Sequence, residues 1–230
     1  MTQRSRNRRR RGFTIIELMI VVSIISIVAA IAVPNLLAAR VQANETSALS
    51  ILRSISTAQA QFQRSAYADE DQNGTGEYGF FGELGGSAGV RGGARKTTPD
   101  LSTSMSVVTS TGEVQRNGFV FRMYLPQAAG VGRRENPGGG VPAGEIDARN
   151  GEVHWACYAF PSHYGGTANR TFFINERCEL ITSDDDRYQG AGCADLVAGA
   201  ALVVGDSSHM TGILAFGTRG ADGNIWRAVQ

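Results

Sequence analysis

A chain of 230 residues is long enough to bury one sizeable core, and its 29 glycines read as a loop-rich fold built from short strands. The formal net charge of +1 hides an asymmetry: six arginines and no acid precede Gly12, and taking those six away leaves −5 on the remainder. A mildly acidic remainder gives no electrostatic case for general nucleic-acid binding, and Lys96 is the only lysine in the chain.

The first elements are a leader and a long apolar helix. Arg4, Arg6 and the run Arg8 to Arg11 are followed by Gly12, and then 27 residues, Phe13 to Ala39, contain a single charge, Glu17. A helix rising about 1.5 Å per residue covers about 40 Å over that length. A hydrocarbon core is about 30 Å thick, so the segment can span it with some tilt. The basic block would stay cytoplasmic and send the rest of the chain outward. An acid near the middle of a spanning helix costs roughly 2.5–3.5 kcal/mol, which marks Glu17 as a functional position. A conventional secretory signal competes with this reading, with Ala30-Ile31-Ala32 as a small-residue cleavage site. Arg10-Arg11-Gly12-Phe13 also echoes a twin-arginine signal. The apolar run outlasts an ordinary signal core, however, and neither alternative explains Glu17.

The combination of Gly12, Phe13, a carboxylate five residues after the glycine (Glu17) and a proline twenty-two after it (Pro34) resembles the type IV prepilin signal. That signal is shared by type IV pilins and the pseudopilins of type II secretion. The resemblance implies a basic leader, residues 1–12, removed after Gly12 by a prepilin peptidase that then N-methylates Phe13. It also implies a membrane-spanning and filament-core helix over 13–39, an amphipathic continuation over 40–64, and an exported pilin-like domain over 65–230. A single-pass inner-membrane precursor would pass, with inner-membrane assembly machinery, into an extracellular or periplasmic filament of pilin subunits. Cleavage would leave an ammonium on Phe13 at the edge of the apolar layer, and a buried charge is tolerable only when paired. Glu17 of one subunit facing the Phe13 amine of its neighbour would neutralise both and set the stagger. Pro34 removes one backbone donor and can kink or locally melt the helix.

Helical periodicity continues through Val41, Ala48, Leu52, Ile55 and Phe62, with Leu49 and Ile51 widening the stripe and Gln42, Asn44, Glu45, Arg53 and Gln59 on the other face. Such a helix requires a sheet against its apolar side. Beyond it, Gly74 to Gly79 fits GxGxxG but follows a helix rather than a strand, so the dinucleotide reading fails. Asp69, Asp71, Asn73 and Glu77 offer oxygen ligands around a turn glycine, a pattern suited to calcium, although Phe80 stands where an EF-hand needs its last glutamate. The competing reading is a polar turn with Phe80, Phe81 and Leu84 packing back, and no other cofactor is expected.

Residues 86–112 read as loop and edge. Strand patterns follow at Phe119 to Leu125, Val153 to Phe160, Arg170 to Asn175 and Glu179 to Thr182. Leu196 to Val204 is apolar but undecided between helix and strand, and Ile213 to Phe216 and Asn224 to Val229 read as closing strands. The fold class is α+β, a long N-terminal helix on an antiparallel sheet. Of three cysteines, Cys178 and Cys193 are the favoured disulfide across an Asp- and Gly-rich segment, with Cys157 a spare buried thiol. The resemblance also makes Asp184, Asp185 and Asp186 in that segment a second calcium candidate, since some secretion pseudopilins bind calcium in a C-terminal loop; the competing reading is an ordinary solvated turn. His154, His163 and His209 are scattered and no nucleophile motif is present, so no catalysis is expected. The function expected is a structural subunit of a type IV pilus or pilus-like filament. The alternatives are a secretion pseudopilin or a minor pilin that binds DNA, a surface or a secreted substrate.

Overall fold

The computed structural model describes residues 12–203 and 207–229; the arginine-rich leader lies outside them. Two compact units divide the chain, Met1–Arg40 and Val41–Gln230. Helix α1, Ile15–Arg64, includes Pro34 and begins in the first unit. Every residue of α1 up to Arg40 is exposed.

From Val41 onward α1 belongs to the second unit, and here its pattern resolves into a buried stripe of Ala48, Leu52, Ile55, Ala58 and Phe62. Two residues placed on the polar face from sequence are buried as well. Glu45 is held by Arg170 at 2.6 Å and by the amide of Asn169 at 3.0 Å. Gln59 donates to the carbonyl of Gly79 and accepts from its amide, at 2.7 and 3.0 Å. Both polar groups are satisfied, as burial demands.

After α1 come a short helix α2 (Phe81–Leu84), strands β1 (Val114–Arg116), β2 (Phe119–Pro126) and β3 (Gly132–Arg134), and a short helix α3 (Ala148–Gly151). The chain then forms β4 (Ala156–Pro161), β5 (Thr171–Asn175), β6 (Leu180–Ser183), β7 (Leu202–Val203), β8 (Ile213–Leu214) and β9 (Arg227–Ala228). Among the described residues the main sheet is antiparallel, in the order β1-β2-β4-β5-β6-β9, with β3 also on β2, while β7 and β8 form a separate ribbon. Asn117 and Gly118 supply positive φ (48° and 76°) for the two-residue turn between β1 and β2, the geometry an Asn-Gly pair favours. The strand patterns of the sequence match β2, β5 and β6 within a residue or two and begin β4 three residues early. They do not register β1 or β3.

Alternation along the strands sorts side chains into two cores. Phe119, Phe121, Met123, Cys157, Phe172 and Ile174 join the stripe of α1 in the first. Val120, Tyr124, Tyr158, Phe160, Phe173 and Ile181 join Tyr188, Leu196, Ala198, Met210 and Trp226 in the second. The sheet is therefore covered on both faces, by α1 and by the C-terminal segment, and β2 is buried at all eight positions. Of the segment left undecided at Leu196 to Val204, Leu196 to Leu202 forms this second cover, and Val204 lies outside the described residues. Its small residues let its backbone approach the sheet, where Tyr158 Oη donates to the carbonyl of Ala198 (2.8 Å) and accepts from the amide of Ala201 (3.1 Å). Tyr124 Oη and Arg122 Nη1 both donate to the carbonyl of Leu196 at 2.7 Å.

Candidate functional site

The N-terminal segment brings Gly12, Phe13, Thr14 and Glu17 together at the start of α1. A Cβ built on Gly12 would meet nothing within 4 Å. Packing within the subunit therefore does not demand glycine there. Phe13 is exposed. The amide of Glu17 donates to Thr14 Oγ1 at 3.2 Å, and the amide of Thr14 donates back to Glu17 Oε2 at 3.4 Å. This reciprocal pair is a capping box, satisfying two helix-terminal donors and placing a carboxylate where the helix dipole favours it. Its sequence signature, Thr-x-x-Glu, stands at residues 14–17, a local signal that the burial cost of Glu17 overshadows.

Beyond the first turn α1 presents isoleucine, leucine, valine and methionine on all sides as far as Leu37. Among the described residues it is the one helix long and apolar enough to cross a membrane. Ser23 and Ser26 return their hydroxyls to the carbonyls of Met19 (2.9 Å) and Val22 (2.8 Å), so neither presents an unsatisfied donor to an apolar medium. Pro34 lies within the helix and, lacking an N–H, cannot donate to the carbonyl of Ala30.

The calcium candidates are divided. Asp69 and Asp71 accept from the amide of Asn73 at 3.1 and 3.2 Å, and Asp69 also from that of Gly74 at 3.0 Å. Asn73 Oδ1 accepts from the amide of Thr75 at 2.7 Å. The trio forms a loop closed on its own backbone. Glu77 is buried away from it, accepting from the amide of Glu70 (2.8 Å) and pairing with Arg91 (3.1 Å). Among the described residues no group of three or more His, Cys, Asp or Glu side chains could hold a metal ion. Asp185 pairs with Arg187 (3.0 Å) and Asp184 with Arg227 (3.3 Å), an ordinary solvated turn.

The Cys178–Cys193 clasp is not formed, and all three thiols are free. Cys178 follows β5 at the end of the sheet where Asn175 pairs with Ala156, and its Sγ lies 2.9 Å from Ser56 Oγ. Cys193 belongs to the loop whose Gly190 donates to the carbonyl of Pro161, at the other end of β4. The length of a strand separates two groups that a disulfide must bring within a few ångströms. Cys157 is buried in the first core, as expected, and burial pushes its thiol pKa up. His154, His163 and His209 lie on separate segments; His154 faces Glu176 at 3.5 Å.

Two buried charge clusters carry no signal in the sequence. Arg91 pairs with Glu83 (2.6 Å) and Glu77 and donates to the carbonyl of Tyr78 (2.8 Å). Nearby, Glu135 accepts from the amides of Gly140 (2.7 Å), Gly82 (2.8 Å) and Phe81 (3.2 Å). Its burial, with backbone amides pulling the other way and Glu83 adding repulsion, raises its pKa to about 8. Glu113 and Arg122 form a second, fully buried pair. No local pattern distinguishes these residues from surface charges, since burial is decided by tertiary placement.

Residues 7–33 match the family model described as the prokaryotic N-terminal methylation motif. Over 87 residues, 37% of this chain, the sequence is 42% identical to the type IV major pilin protein PilA of Myxococcus xanthus, covering 38% of that protein. Over 56 residues, 24% of this chain, it is 48% identical to the type IV wide pilus major component PilA4 of Thermus thermophilus, covering 43% of that protein. The chain thus matches well under half the length of either curated relative. No solved structure matches it at a comparable level of significance.

Proposed function

We propose that this chain, which carries the N-terminal methylation motif of the type IV pilins and a pilin-like α+β fold, is a structural subunit of a type IV pilus. The observation that carries the reading is the state of α1 before Arg40. It is a fully exposed apolar helix with one carboxylate, Glu17, in its first turn. Such a surface is stable in lipid or among identical helices, and packing with neighbours can replace lipid contacts. In this reading the leader keeps the N-terminus cytoplasmic and the second unit is exported. A prepilin peptidase cuts after Gly12 and methylates the Phe13 amine, and assembly machinery of the inner membrane draws the subunit into the filament. The steric freedom at Gly12 supports a requirement imposed from outside the subunit, as a protease site would impose. The subunit itself needs no catalysis, cofactor or metal.

The N-terminal mass of the protein in membranes and in sheared surface material tests this. The expected result is a chain beginning at N-methylated Phe13 in both fractions. A chain beginning at Val33 would mean an ordinary secreted protein. Processed chain confined to the cell envelope would favour a secretion pseudopilus instead. Gly12→Val, which puts a branched side chain at the scissile position, is expected to leave the precursor uncut in the membrane fraction.

A further inference from the structure

Three Asn-Gly pairs occur in the chain: Asn73-Gly74, Asn117-Gly118 and Asn150-Gly151. In such a pair the glycine's backbone nitrogen can attack the carboxamide of the asparagine before it, because no side chain on the glycine hinders it. Attack requires the amide to give up its proton, so an amide already committed to a hydrogen bond is held back. The fold treats the three pairs differently. The amide of Gly151 donates to the carbonyl of Asp147 at 2.7 Å, and both Asn150 and Gly151 lie within α3. The amide of Gly74 donates to Asp69 Oδ2 at 3.0 Å, and an anion at that position opposes loss of the proton. Asn73 is itself tied down. Its Nδ2 donates to Asp71 and Glu152, and its Oδ1 accepts from the amide of Thr75. Asn117, by contrast, is exposed at the tip of the β1–β2 hairpin. The strand pairing there closes at Arg116 and Phe119, and among the described residues the amide of Gly118 donates to nothing. Asn117 makes one side-chain bond, from Nδ2 to Ser47 Oγ of α1 at 2.7 Å. A Cβ built on Gly118 would fall 2.8 Å from Thr167 Cβ. Packing thus demands glycine at the position where glycine leaves the nitrogen open.

We propose that Asn117 is a site of spontaneous modification, converted to aspartate and isoaspartate in the folded chain with water as the co-reactant. The Gly118 nitrogen bonds to Asn117 Cγ, the Cγ–Nδ2 bond breaks, and ammonia leaves with the proton that the Gly118 amide has lost. Water then opens the succinimide ring so formed. Cleavage of the new bond at Cγ gives aspartate, and cleavage at the backbone carbonyl gives isoaspartate, whose chain runs through Cβ and Cγ. The consequences fall on the contact between the hairpin and α1. An aspartate at this position can keep Ser47, which then donates to it, and it adds a negative charge beside the helix. The isoaspartyl form inserts an extra backbone atom into a two-residue turn, which the Arg116–Phe119 pair can accommodate only by shifting. The reaction needs only the folded second unit and is independent of what the chain assembles into.

Peptide mapping of the full-length chain, held in detergent at mildly alkaline pH, tests this through the small mass gain of amide-to-acid conversion. Heavy oxygen taken up from labelled water separates conversion during the incubation from conversion before it. Asn117 is expected to convert at least about tenfold faster than Asn73 and Asn150, whose glycine amides must first give up a hydrogen bond. In denaturant the three sites are expected to come within about threefold of one another, since folded-state protection is then gone. A smaller preference for Asn117 in the folded chain would overturn the proposal, because the hairpin would then hold the pair out of reach of attack. A preference that persists in denaturant would overturn it too, because flanking residues and not the fold would then select the site. Asp69→Ala frees the Gly74 amide and removes the anion beside it. That variant is expected to speed conversion at Asn73 by at least about threefold and leave Asn117 unchanged. An unaltered rate at Asn73 would overturn the role given to the occupied amide. None of these outcomes bears on the filament reading.

Discussion

Glu17 makes one contact that the structure shows and one that we propose, and a single substitution can confuse them. Within its own subunit it closes the capping box with Thr14; in the assembled state we assign it to the Phe13 amine of a neighbour. Thr14→Ala removes only the cap and is expected to cost about 1 kcal/mol at the first turn, with a modest loss of filaments. Glu17→Ala removes both and is expected to leave cleavage intact while abolishing most assembly. Glu17→Gln is the discriminating variant, because the amide oxygen can still cap while the charge is gone. Filaments at the original level from Glu17→Gln, counted by immunoblot of sheared material, would remove the charge-pairing role. The cysteines separate on the same scale. Cys178 is exposed, Cys193 partly covered and Cys157 buried with its thiol pKa pushed up. A thiol-specific reagent under native conditions is expected to modify Cys178 first, then Cys193, and Cys157 only after denaturation. Resistance of both Cys178 and Cys193, reversed by a reductant, would show a disulfide after all.

The elements of the second unit depend on how its C-terminal cover is held. Tyr158 Oη bridges the carbonyl of Ala198 and the amide of Ala201 inside the second core. Tyr158→Phe leaves both groups buried without their partner, at a cost of about 1–3 kcal/mol. Denaturant unfolding of the full chain in detergent should show that loss, together with faster amide exchange near Ala201. An unchanged midpoint would mean that the cover shifts to find other partners. This contact also marks where sequence patterns stop being informative. Helix α1 and strands β2 and β5 are legible because each carries its own periodicity, 3.6 or 2, in consecutive residues. The cover is not, because Leu196 to Leu202 packs alanines and glycine through their backbones and leaves no periodic stripe. The three-residue β1 and β3 are too short for alternation to register, and their pairing is set by β2. The methylation motif over residues 7–33 is legible because Gly12, Phe13 and Glu17 lie close together in the chain. The buried pairs Arg91–Glu83 and Arg122–Glu113 and the ends of the would-be disulfide depend on tertiary placement, which spacing does not encode.

At the scale of the molecule the two units obey opposite rules. The first exposes its apolar surface, whereas the second buries most of its own and carries charge into its interior. That interior charge makes stability depend on pH with a sign opposite to the usual carboxylate. Glu135 has no cation in direct contact among the described residues; three amides favour its ionised form, while burial and Glu83 oppose it, and burial is the largest effect, raising its pKa from 4.5 to about 8. Burial raises the Glu77 pKa as well, against the amide of Glu70 and the charge of Arg91. Over the window from 4.5 to about 8 the folded chain therefore holds a proton that the unfolded chain has released. Stability must fall as pH rises wherever the unfolded state binds fewer protons. The contribution is complete below 4.5 and is lost by about pH 8, above which the curve flattens with respect to this group. Denaturant midpoints of the full chain in detergent, taken between about pH 5 and 9, are expected to decline over that range. Glu135→Gln keeps a neutral acceptor for the amides of Gly82 and Gly140 and is expected to flatten most of the slope, leaving the variant more stable than the original chain at the alkaline end. A stability that instead climbs with pH, and a Glu135→Gln variant weaker at every pH, would mean that the three amides outweigh burial and that Glu135 is a carboxylate throughout.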